Sequence, residues 1–262
     1  MHGENHNFEK SGIRVDVVIP VYNEEKVLAK SVAALSDFLN KRCCYDWRIV
    51  IADNASIDST LDVAMALVEQ YPRVAYKRIP YKGRGRALRA TWLGSQADIV
   101  SYMDVDLSTD LNGFLPMIDA IASGHADIVC GSRYKKGAKV TRGLKREILS
   151  RGYIRLIKFF FHCSFTDSQC GFKAVSRQAV QTLVPLIENQ GWFFDAELLL
   201  LADHHGFRVF EIPVKWIDDP DSRVKILQTV SEHFMGLLRM RLAFSTGFAA
   251  EPNHGHPIEA AA

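Results

Sequence analysis

The sequence Asp104-Val105-Asp106 follows a short apolar segment and offers two carboxylates separated by one residue. On an extended backbone, residues i and i+2 point to the same side, so these carboxylates are expected to lie close together. They repel each other unless a cation lies between them or one of them takes a proton. Their hard oxygen atoms suit Mg²⁺ or Mn²⁺, which can also hold a diphosphate. For this motif taken alone, a solvated turn or a helix cap is the alternative.

Asp53 also follows an apolar, β-branched segment. A carboxylate at the end of a buried strand could accept hydrogen bonds from a base or a ribose. The structural alternative is that Asp53 caps the next helix, although Ser56 and Asp58 are better placed for that role.

A glycine-rich basic segment, Lys82-Gly83-Arg84-Gly85-Arg86, precedes a helical pattern. Glycine lets the backbone approach a ligand, and cations at a helix N-terminus favour phosphate. The segment does not continue as the Gly-x-Gly-x-x-Gly motif of dinucleotide-binding proteins. A plain basic turn is therefore the alternative to a phosphate site.

The strongest charge bias lies between Arg133 and Lys158, where ten residues are Lys or Arg and one, Glu147, is acidic. The second half of this segment alternates basic and apolar residues, as in a helix that lies on an anionic membrane. Arginine also binds phosphate bidentately. The alternatives are a solvated helix packed on the sheet and a nucleic-acid site.

Two polar clusters occur later in the chain, one in a turn and one at the start of a predicted helix. They are Asp167, Gln169, Cys170 and Gly171, and then Trp192, Asp195 and Glu197. Asp195 could be no more than a favourable charge at a helix N-terminus. The residues alone leave a functional and a structural role equally open for both clusters.

The elements that must position these residues alternate between strand and helix in the first half of the chain. Strand patterns cover 15–21, 47–52, 74–79, 98–103 and 127–130, and helical patterns cover 24–40, 58–71, 85–96 and 111–123. Such alternation predicts an α/β fold with a mainly parallel sheet flanked by helices. Ligands of these sheets bind beyond the carboxyl ends of the strands. Four of these ends carry polar residues: 22–24, 53–54, 104–106 and 131–133.

After residue 133 the regular alternation stops. A helix is predicted over 196–205, a strand over 207–214 and an amphipathic helix over 224–244. We expect a flexible N-terminus over 1–13 and a disordered tail over 245–262, because neither segment has apolar periodicity. The region between them, 14–244, is expected to form a single domain.

Composition narrows the class of protein. The chain has 262 residues, 48% of them hydrophobic and 24% charged, which is typical of globular proteins and argues against a disordered or fibrous one. The formal net charge of +2 gives no general support for nucleic-acid binding. Five cysteines without a Cys-x-x-Cys pair favour neither a disulfide framework nor a zinc site. No apolar run is long enough to predict a signal peptide or a membrane span.

Taken together, the motifs resemble glycosyltransferase family 2, whose members have the GT-A fold. The residues that carry this resemblance are 19–25, Asp53 with Ser56 and Asp58, 83–85, 104–107 and 131–134. The later segments 167–173, 191–197 and 211–214 resemble the polyprenyl-phosphate or dolichyl-phosphate hexose synthases within that family. The resemblance covers roughly residues 14–242.

The resemblance implies a role for each matching residue. Donor-binding residues would be Pro20, Tyr22, Asn23, Glu24, Asp53, Arg84, Asp104, Val105 and Asp106. Asp104 and Asp106 would hold Mg²⁺ or Mn²⁺, and Ser108 stands where some members have a further metal ligand. Acceptor-binding residues would be Arg133, Arg146, Gln169, Trp192 and Glu197. The catalytic group would comprise Asp104, Asp106, Arg133, Asp167 and Asp195.

The resulting hypothesis is an inverting transfer of a hexose from a nucleotide-sugar, UDP-hexose or GDP-mannose, to a polyprenyl or dolichyl phosphate. Residues 14–132 would form the nucleotide-sugar half of the domain and residues 133–244 the acceptor half. The protein would be cytoplasmic and peripheral to the membrane on its cytoplasmic face, with a separate membrane protein as a possible partner and no nucleic acid. The alternatives are a family member that glycosylates a sugar or protein hydroxyl, with Asp195 or Asp167 as base, and a non-catalytic nucleotide-sugar-binding scaffold.

Overall fold

The structure, a computed structural model, describes residues 11–141, 143–217 and 226–246; within these ranges it leaves out the side chains of 11, 144–146 and 226–229. The predicted flexible N-terminus and tail lie largely outside these ranges. Both predicted segments extend too far into the folded region, because the first strand already begins at Ser11 and the last helix continues to Thr246.

The described strands are β1 Ser11–Val21, β2 Tyr45–Asn54, β3 Val74–Ile79, β4 Ile99–Met103, β5 Ile128–Ser132, β6 Lys139–Thr141, β7 Phe172–Ser176, β8 Val209–Pro213 and β9 Lys215–Ile217. The described helices are α1 Leu28–Arg42, α2 Thr60–Gln70, α3 Arg84–Leu93, α4 Phe114–Ala122, α5 Leu144–Phe161, α6 Arg177–Leu183, α7 Phe194–His204 and α8 Ile226–Thr246. Short 3₁₀ turns cover Leu111–Gly113 and Val184–Leu186.

The main sheet has seven strands in the order β3-β2-β1-β4-β7-β5-β8. Strands β1 to β4 pair in parallel, as do β5 and β8, which confirms the predicted mainly parallel sheet. Strand β7 was not predicted, and it runs antiparallel between β4 and β5. The small sheet pairs β6 with β9.

Each face of the sheet carries its own hydrophobic core. One core packs α1, α2 and α4 against the strands, with Val17, Leu35 and Phe114 fully buried. The other packs α3, α6, α7 and the inner faces of α5 and α8, with Trp92 and Leu198 buried. Strands covered on both faces are mostly apolar, which explains the nearly continuous apolar runs within β1, β2 and β4.

The two long helices of the second half are amphipathic in the structure. In α8, the buried positions His233, Gly236, Leu237 and Met240 follow helical spacing and face the core. Its opposite face is exposed. Among the residues that the structure describes, no helix is both long enough and apolar enough to cross a membrane.

Candidate active site

Asp104 and Asp106 lie in a tight turn immediately after β4. The strand ends at Met103, the Leu107 amide donates to the Asp104 carbonyl oxygen at 3.1 Å, and Leu107 has a positive φ of 50°. The expectation that both carboxylates project from an extended backbone is therefore wrong. The structure places Asp104 half-exposed and Asp106 exposed, with Val105 between them pointing into the core.

Gly171 lets the Asp104 carboxylate pack directly on the neighbouring backbone. The Asp104 amide donates to the Gly171 carbonyl oxygen at 3.2 Å. A Cβ atom at position 171 would lie 1.8 Å from Asp104 Oδ2, a distance that no real contact allows. The position of Asp104 thus depends on the glycine that precedes β7.

Arg84, at the start of α3, lies at the centre of the site. Its Nη2 donates to Asp104 Oδ1 at 2.5 Å and its Nη1 to Asp195 Oδ2 at 2.9 Å. The guanidinium carbon also lies 5.0 Å from the ring centroid of Tyr102 and 4.9 Å from that of Trp192. Two carboxylates and two aromatic faces therefore fix this arginine in one orientation.

Asp195 lies at the start of α7 with 2% of its side chain exposed. Besides Arg84, it accepts hydrogen bonds from Tyr102 and from Lys173, whose Nζ lies 2.9 Å from Oδ1. Burial alone would raise the pKa of Asp195, but Lys173 and Arg84 together lower it. The carboxylate is therefore ionised, both of its oxygens have hydrogen-bond donors, and it is a weak base.

Lys173 is a buried neighbour of this cluster that sequence reasoning missed. It lies on β7 with no exposed side-chain surface, and its Nζ also donates to the carbonyl oxygen of Cys170 at 2.6 Å. A buried lysine needs such a set of acceptors, because an unpaired ammonium in the core is very costly. The only available signal was an interruption by Lys of an otherwise apolar segment.

The glycine-rich turn before α3 packs against protein in this structure. A Cβ on Gly85 would lie 2.7 Å from Phe194 Cβ, and one on Gly83 would lie 2.5 Å from the Gln190 carbonyl oxygen. The amides of Gly85 and Arg86 donate to the carbonyls of residues 191 and 190. The first turn of α3 thus joins the loop before α7, which differs from the expectation that its amides are open to phosphate.

Asp53, at the end of β2, is fully buried and has several partners. Its Oδ1 accepts from the Ser56 amide at 2.9 Å, and its Oδ2 accepts from the Tyr76 hydroxyl at 2.7 Å and from Arg78 Nη1 at 3.1 Å. Tyr76 and Arg78 lie on β3, and sequence reasoning missed both. Because they lie on the neighbouring strand, only the register Asp53↔Arg78 brings them to this carboxylate.

The turn after β1 is fixed to the turn after β2 by hydrogen bonds. Asn23 has a positive φ of 56°, its amide donates to Ser56 Oγ and its side-chain oxygen accepts from the Ile57 amide. The Lys82 ammonium lies 3.6 Å from the ring centroid of Tyr22. Pro20, Tyr22 and Glu24 are half-buried at this edge, as the predicted convergence of strand ends requires.

Arg133 and Asp167 form a bidentate ion pair beyond the end of β5. Nε lies 2.7 Å from Oδ2 and Nη2 lies 2.9 Å from Oδ1, with 10% and 2% of the two side chains exposed. Burial would raise the pKa of Asp167, but Arg133 lowers it. The guanidinium also lies over the Trp216 ring. The side chain of Arg146, the second predicted phosphate-binding arginine, lies outside what the structure describes.

The remaining predicted acceptor residues fall into two groups. Gln169 is half-buried and Trp192 is 42% exposed, so both can contact a ligand. Glu197 is fully buried, and its oxygens accept hydrogen bonds from the amides of Glu188 and Asn189. This differs from the expected acceptor contact, because a carboxylate without exposed surface supports the loop before α7 instead.

The side chains at the end of β4 offer the type of ligand atom that a divalent cation prefers. Asp104 and Asp106 supply hard oxygen atoms, and Mg²⁺ is typically held by one or two carboxylates together with substrate phosphates and water. Among the described residues, no group of three His, Cys, Asp or Glu side chains is arranged around one point. A cation held here would therefore complete its coordination with groups from the substrate and with water.

The fold and this strand-end cluster define the class as that of GT-A type glycosyltransferases. Residues 16–184 match the family described as Glycosyl transferase family 2. This chain belongs to that family.

Curated relatives support the assignment over most of the chain. Glycosyltransferase AglD of Haloferax volcanii is 32% identical over 222 residues, which cover 84% of this chain but 36% of that protein. Dolichyl-phosphate beta-glucosyltransferase ALG5D of Trichomonas vaginalis is 32% identical over 230 residues, covering 84% of this chain and 70% of that protein. This chain thus spans little more than a third of the length of the Haloferax relative.

A solved structure confirms the fold. Glucosyl-3-phosphoglycerate synthase from Mycobacterium tuberculosis, in complex with Mn²⁺ and UDP-glucose, superposes with a TM-score of 0.65 at 19% identity, covering 89% of this chain and 81% of that chain. At this identity the likeness establishes the GT-A type architecture.

Proposed function

We propose that this protein transfers glucose from UDP-glucose to a polyprenyl or dolichyl phosphate at a membrane surface, with a divalent cation as cofactor. The observation that carries the proposal is the neutralised state of the buried carboxylates. Asp195 is paired with Lys173 and Arg84, and Asp167 is paired with Arg133. The names of the curated relatives agree with a lipid-phosphate acceptor and with glucose.

The state of these carboxylates favours a phosphate over a hydroxyl acceptor. A hydroxyl acceptor needs a general base whose pKa lies near the working pH. The pKa values of Asp167 and Asp195 are both lowered, because cations overcome the effect of burial. A phosphate acceptor is already anionic at neutral pH, so it can attack the anomeric carbon without such a base.

The choice of UDP as the donor nucleotide follows the structural neighbour that was solved in complex with UDP-glucose. At the end of β2, Oδ1 of Asp53 already accepts from the Ser56 amide, and Oδ2 accepts from Tyr76 and Arg78. Because Asp53 is buried and both of its oxygens are bonded, a base at this edge would contact the half-exposed Arg78 guanidinium, which can donate to a carbonyl oxygen of the base.

The metal would be held by Asp104 and Asp106. When bound, a divalent cation neutralises the charge that develops on the leaving nucleoside diphosphate. The chain's own contribution is orientation: Gly171 and Arg84 fix Asp104, and Arg133, fixed by Asp167, places positive charge on the acceptor side. We infer from this arrangement that residues 14–132 form the donor half and residues 133–244 the acceptor half.

The outer faces of α5 and α8 support contact with a membrane surface. On α5 the exposed residues are Ile148, Leu149 and Phe159, together with Arg151, Arg155 and Lys158. On α8 the exposed large apolar residues are Val230, Phe234, Met235, Leu238 and Leu242. The two helices lie side by side, since Phe161 packs on Phe244 with ring centroids 5.7 Å apart. Adjacent apolar stripes bordered by cations are typical of helices that lie in an anionic lipid interface.

The test is label transfer by the purified chain. Radiolabelled UDP-glucose, UDP-N-acetylglucosamine and GDP-mannose are supplied separately with polyprenyl phosphate and Mn²⁺ or Mg²⁺, and label in the organic phase is counted. We expect label from UDP-glucose alone, and its loss with EDTA. Asp106→Asn should reduce the rate at least roughly 100-fold, because stabilisation of developing charge is lost.

Asp62→Asn is the matched control, since Asp62 is an exposed carboxylate on α2 away from the site. It should retain full activity. Metal-independent transfer, or an active Asp106→Asn variant, would contradict the metal assignment. Cleavage of the donor without lipid product would contradict the acceptor assignment.

A further inference from the structure

Helix α8 places a buried histidine against the turn that carries Gln169. His233 is 3% exposed, and its Nδ1 lies 3.2 Å from Gln169 Nε2. Its ring packs between Tyr153 of α5 and Phe193, with centroid distances of 4.8 and 5.7 Å. The contact joins residues 64 positions apart, so no local pattern in the sequence indicates it.

Three buried polar atoms around this contact have no hydrogen-bond partner in the described part of the protein: His233 Nε2, the Tyr153 hydroxyl and Ser168 Oγ. They come from α8, α5 and the turn before β7, and the Tyr153 hydroxyl faces Ser168 without a bond of ordinary geometry. An unpaired buried polar group costs on the order of 1–3 kcal/mol, so each such group in a folded protein calls for an explanation.

The protonation state of His233 follows from its surroundings. Burial lowers its pKa, and the nearby carboxylates of Glu232 and Asp195, together with the backbone of Trp192, oppose this only in part. A neutral imidazole has one donor nitrogen and one acceptor nitrogen. With the Gln169 amide as placed, Nε2 of Gln169 donates to Nδ1, so the proton is on His233 Nε2.

We propose that His233 is a positioning residue that fixes the orientation of the Gln169 side-chain amide on the acceptor side of the site. The inference rests on the proposed function and on the role of Gln169 as an acceptor-binding residue, which the family resemblance implies. Gln169 is the half-buried member of a turn whose neighbours Asp167, Ser168 and Cys170 are buried, so it presents the polar edge of that turn. Its backbone is fixed by Asp167 Oδ1, and His233 fixes its side chain.

Helix α8 has other attachments to this region, so the His233 bond is not needed to dock it. Glu232 Oε1 accepts from the Trp192 amide at 3.0 Å. Gly236 lies against the Phe193 ring so closely that a Cβ would lie 2.5 Å from it. Arg239 pairs with Glu197 at 2.8 Å. A purely structural histidine would add only packing to these contacts.

The experiment compares steady-state kinetics of the full chain and four variants: His233→Phe, His233→Asn, Gln169→Ala and the double variant His233→Phe/Gln169→Ala. Phe keeps the ring packing and removes the bond, whereas the Asn amide can replace Nδ1. We expect His233→Phe to raise the KM for polyprenyl phosphate roughly 3- to 10-fold, the worth of one hydrogen bond. The kcat, the KM for UDP-glucose and the melting temperature should stay near wild type.

His233→Asn should recover most of the acceptor KM, and the double variant should be no worse than Gln169→Ala, because the two residues act as one unit. Equal changes in both KM values, a lowered melting temperature with no rescue by Asn, or independent effects in the double variant would each overturn the inference. So would an unchanged acceptor KM in His233→Phe.

His125→Phe, at an exposed turn, is the control for the substitution itself and should be silent. The wild-type chain tests the proposed function itself. If it forms no lipid product, the proposed function is wrong and the inference about His233 is overturned with it.

Discussion

The donor side and the acceptor side of the site differ in how completely their polar groups are paired. At the ends of β1 and β2, Asp53 has three hydrogen-bond partners, and Asn23 bonds to the turn that follows β2. On the acceptor side, three buried polar atoms lack a partner within the described residues, and the two helices that contribute two of them expose apolar faces. At the ends of β1 and β2 the polar groups are paired within the protein, although Thr91 and Trp92 farther along α3 each have an unpaired polar atom. The acceptor side combines unpaired polar atoms with an exposed apolar surface.

The boundary between these two sides is the chain of charges Asp104–Arg84–Asp195–Lys173. It links the end of β4, the start of α3, the start of α7 and the middle of β7. A buried network of this kind is expensive to break on one side only, because the remaining charge stays in the core. Damage to it should therefore affect the whole fold, whereas damage on the acceptor side should affect binding.

The largest effect should follow from Asp195→Ala, which leaves Lys173 buried without its carboxylate. We expect a loss of about 3–5 kcal/mol in the free energy of unfolding, measured by urea denaturation. Asp195→Leu combined with Lys173→Met should recover part of that loss, because it removes both charges together. A loss under about 1 kcal/mol in the free energy of unfolding for Asp195→Ala would contradict the prediction, because the network would then contribute no more than a surface ion pair.

A smaller but still large effect should follow from Gly171→Ala. The added Cβ must displace the Asp104 carboxylate, so we expect a roughly 100-fold loss of transfer rate together with weaker Mn²⁺ binding in calorimetry. Gly12→Ala is the control, since a Cβ at Gly12 has no neighbour within 4 Å. If Gly171→Ala kept wild-type activity, the position of the Asp104 carboxylate would not matter for the transfer reaction.

A moderate effect is expected on the outer face of α8. Met235→Gln and Leu238→Gln should each weaken sedimentation with anionic vesicles by roughly 3- to 10-fold, since each replaces the apolar end of a side chain at the interface with a polar amide. Met65→Gln is the matched control, because Met65 is also an exposed methionine but lies on α2. If all three variants bind vesicles equally, α8 is not the membrane contact.

The smallest effect should come from the ion pair Arg208–Asp127, which has the same bidentate geometry as Arg133–Asp167 but lies at the surface. Asp127→Asn should cost less than about 1 kcal/mol near neutral pH, and added salt should reduce that cost.

The pH dependence of this cost has a definite sign. Hydrogen bonding to Arg208 lowers the pKa of Asp127, so the pair stabilises the fold above the ordinary aspartate pKa. The difference between wild type and Asp127→Asn should therefore shrink as the pH falls from ~5 towards ~2 in thermal melts. A difference that grows on acidification would be incompatible with this pairing.

Much of the donor side could be predicted from the sequence, because its signals are local. Apolar strands followed directly by polar residues gave the parallel arrangement and the strand-end positions of Asp53 and Asp104. The turn at 104–107 could not be predicted in detail, since it depends on a positive φ at Leu107, a residue type that rarely adopts one.

The acceptor side was less predictable because its contacts are distant in sequence. Strand β7 was missed since it has only five residues and contains Lys173, and charged residues are almost never fully buried without a partner. That partner, Asp195, belongs to another element. Arg78 and His233 were missed for the same reason. Their partners, Asp53 and Gln169, are distant in sequence and are brought close only by the fold.

The position of β7 also has a consequence for the order in which the chain can fold during synthesis. Strand β4 pairs with β1 on one side, but its other neighbour is β7, which begins 69 residues after β4 ends. Until the ribosome has made residue 176, β4 is an open edge with unpaired backbone groups, and β5 has no place in the sheet. Such edges invite pairing with other chains. Mispairing with other chains is therefore expected mainly while the first half of the protein is being synthesised.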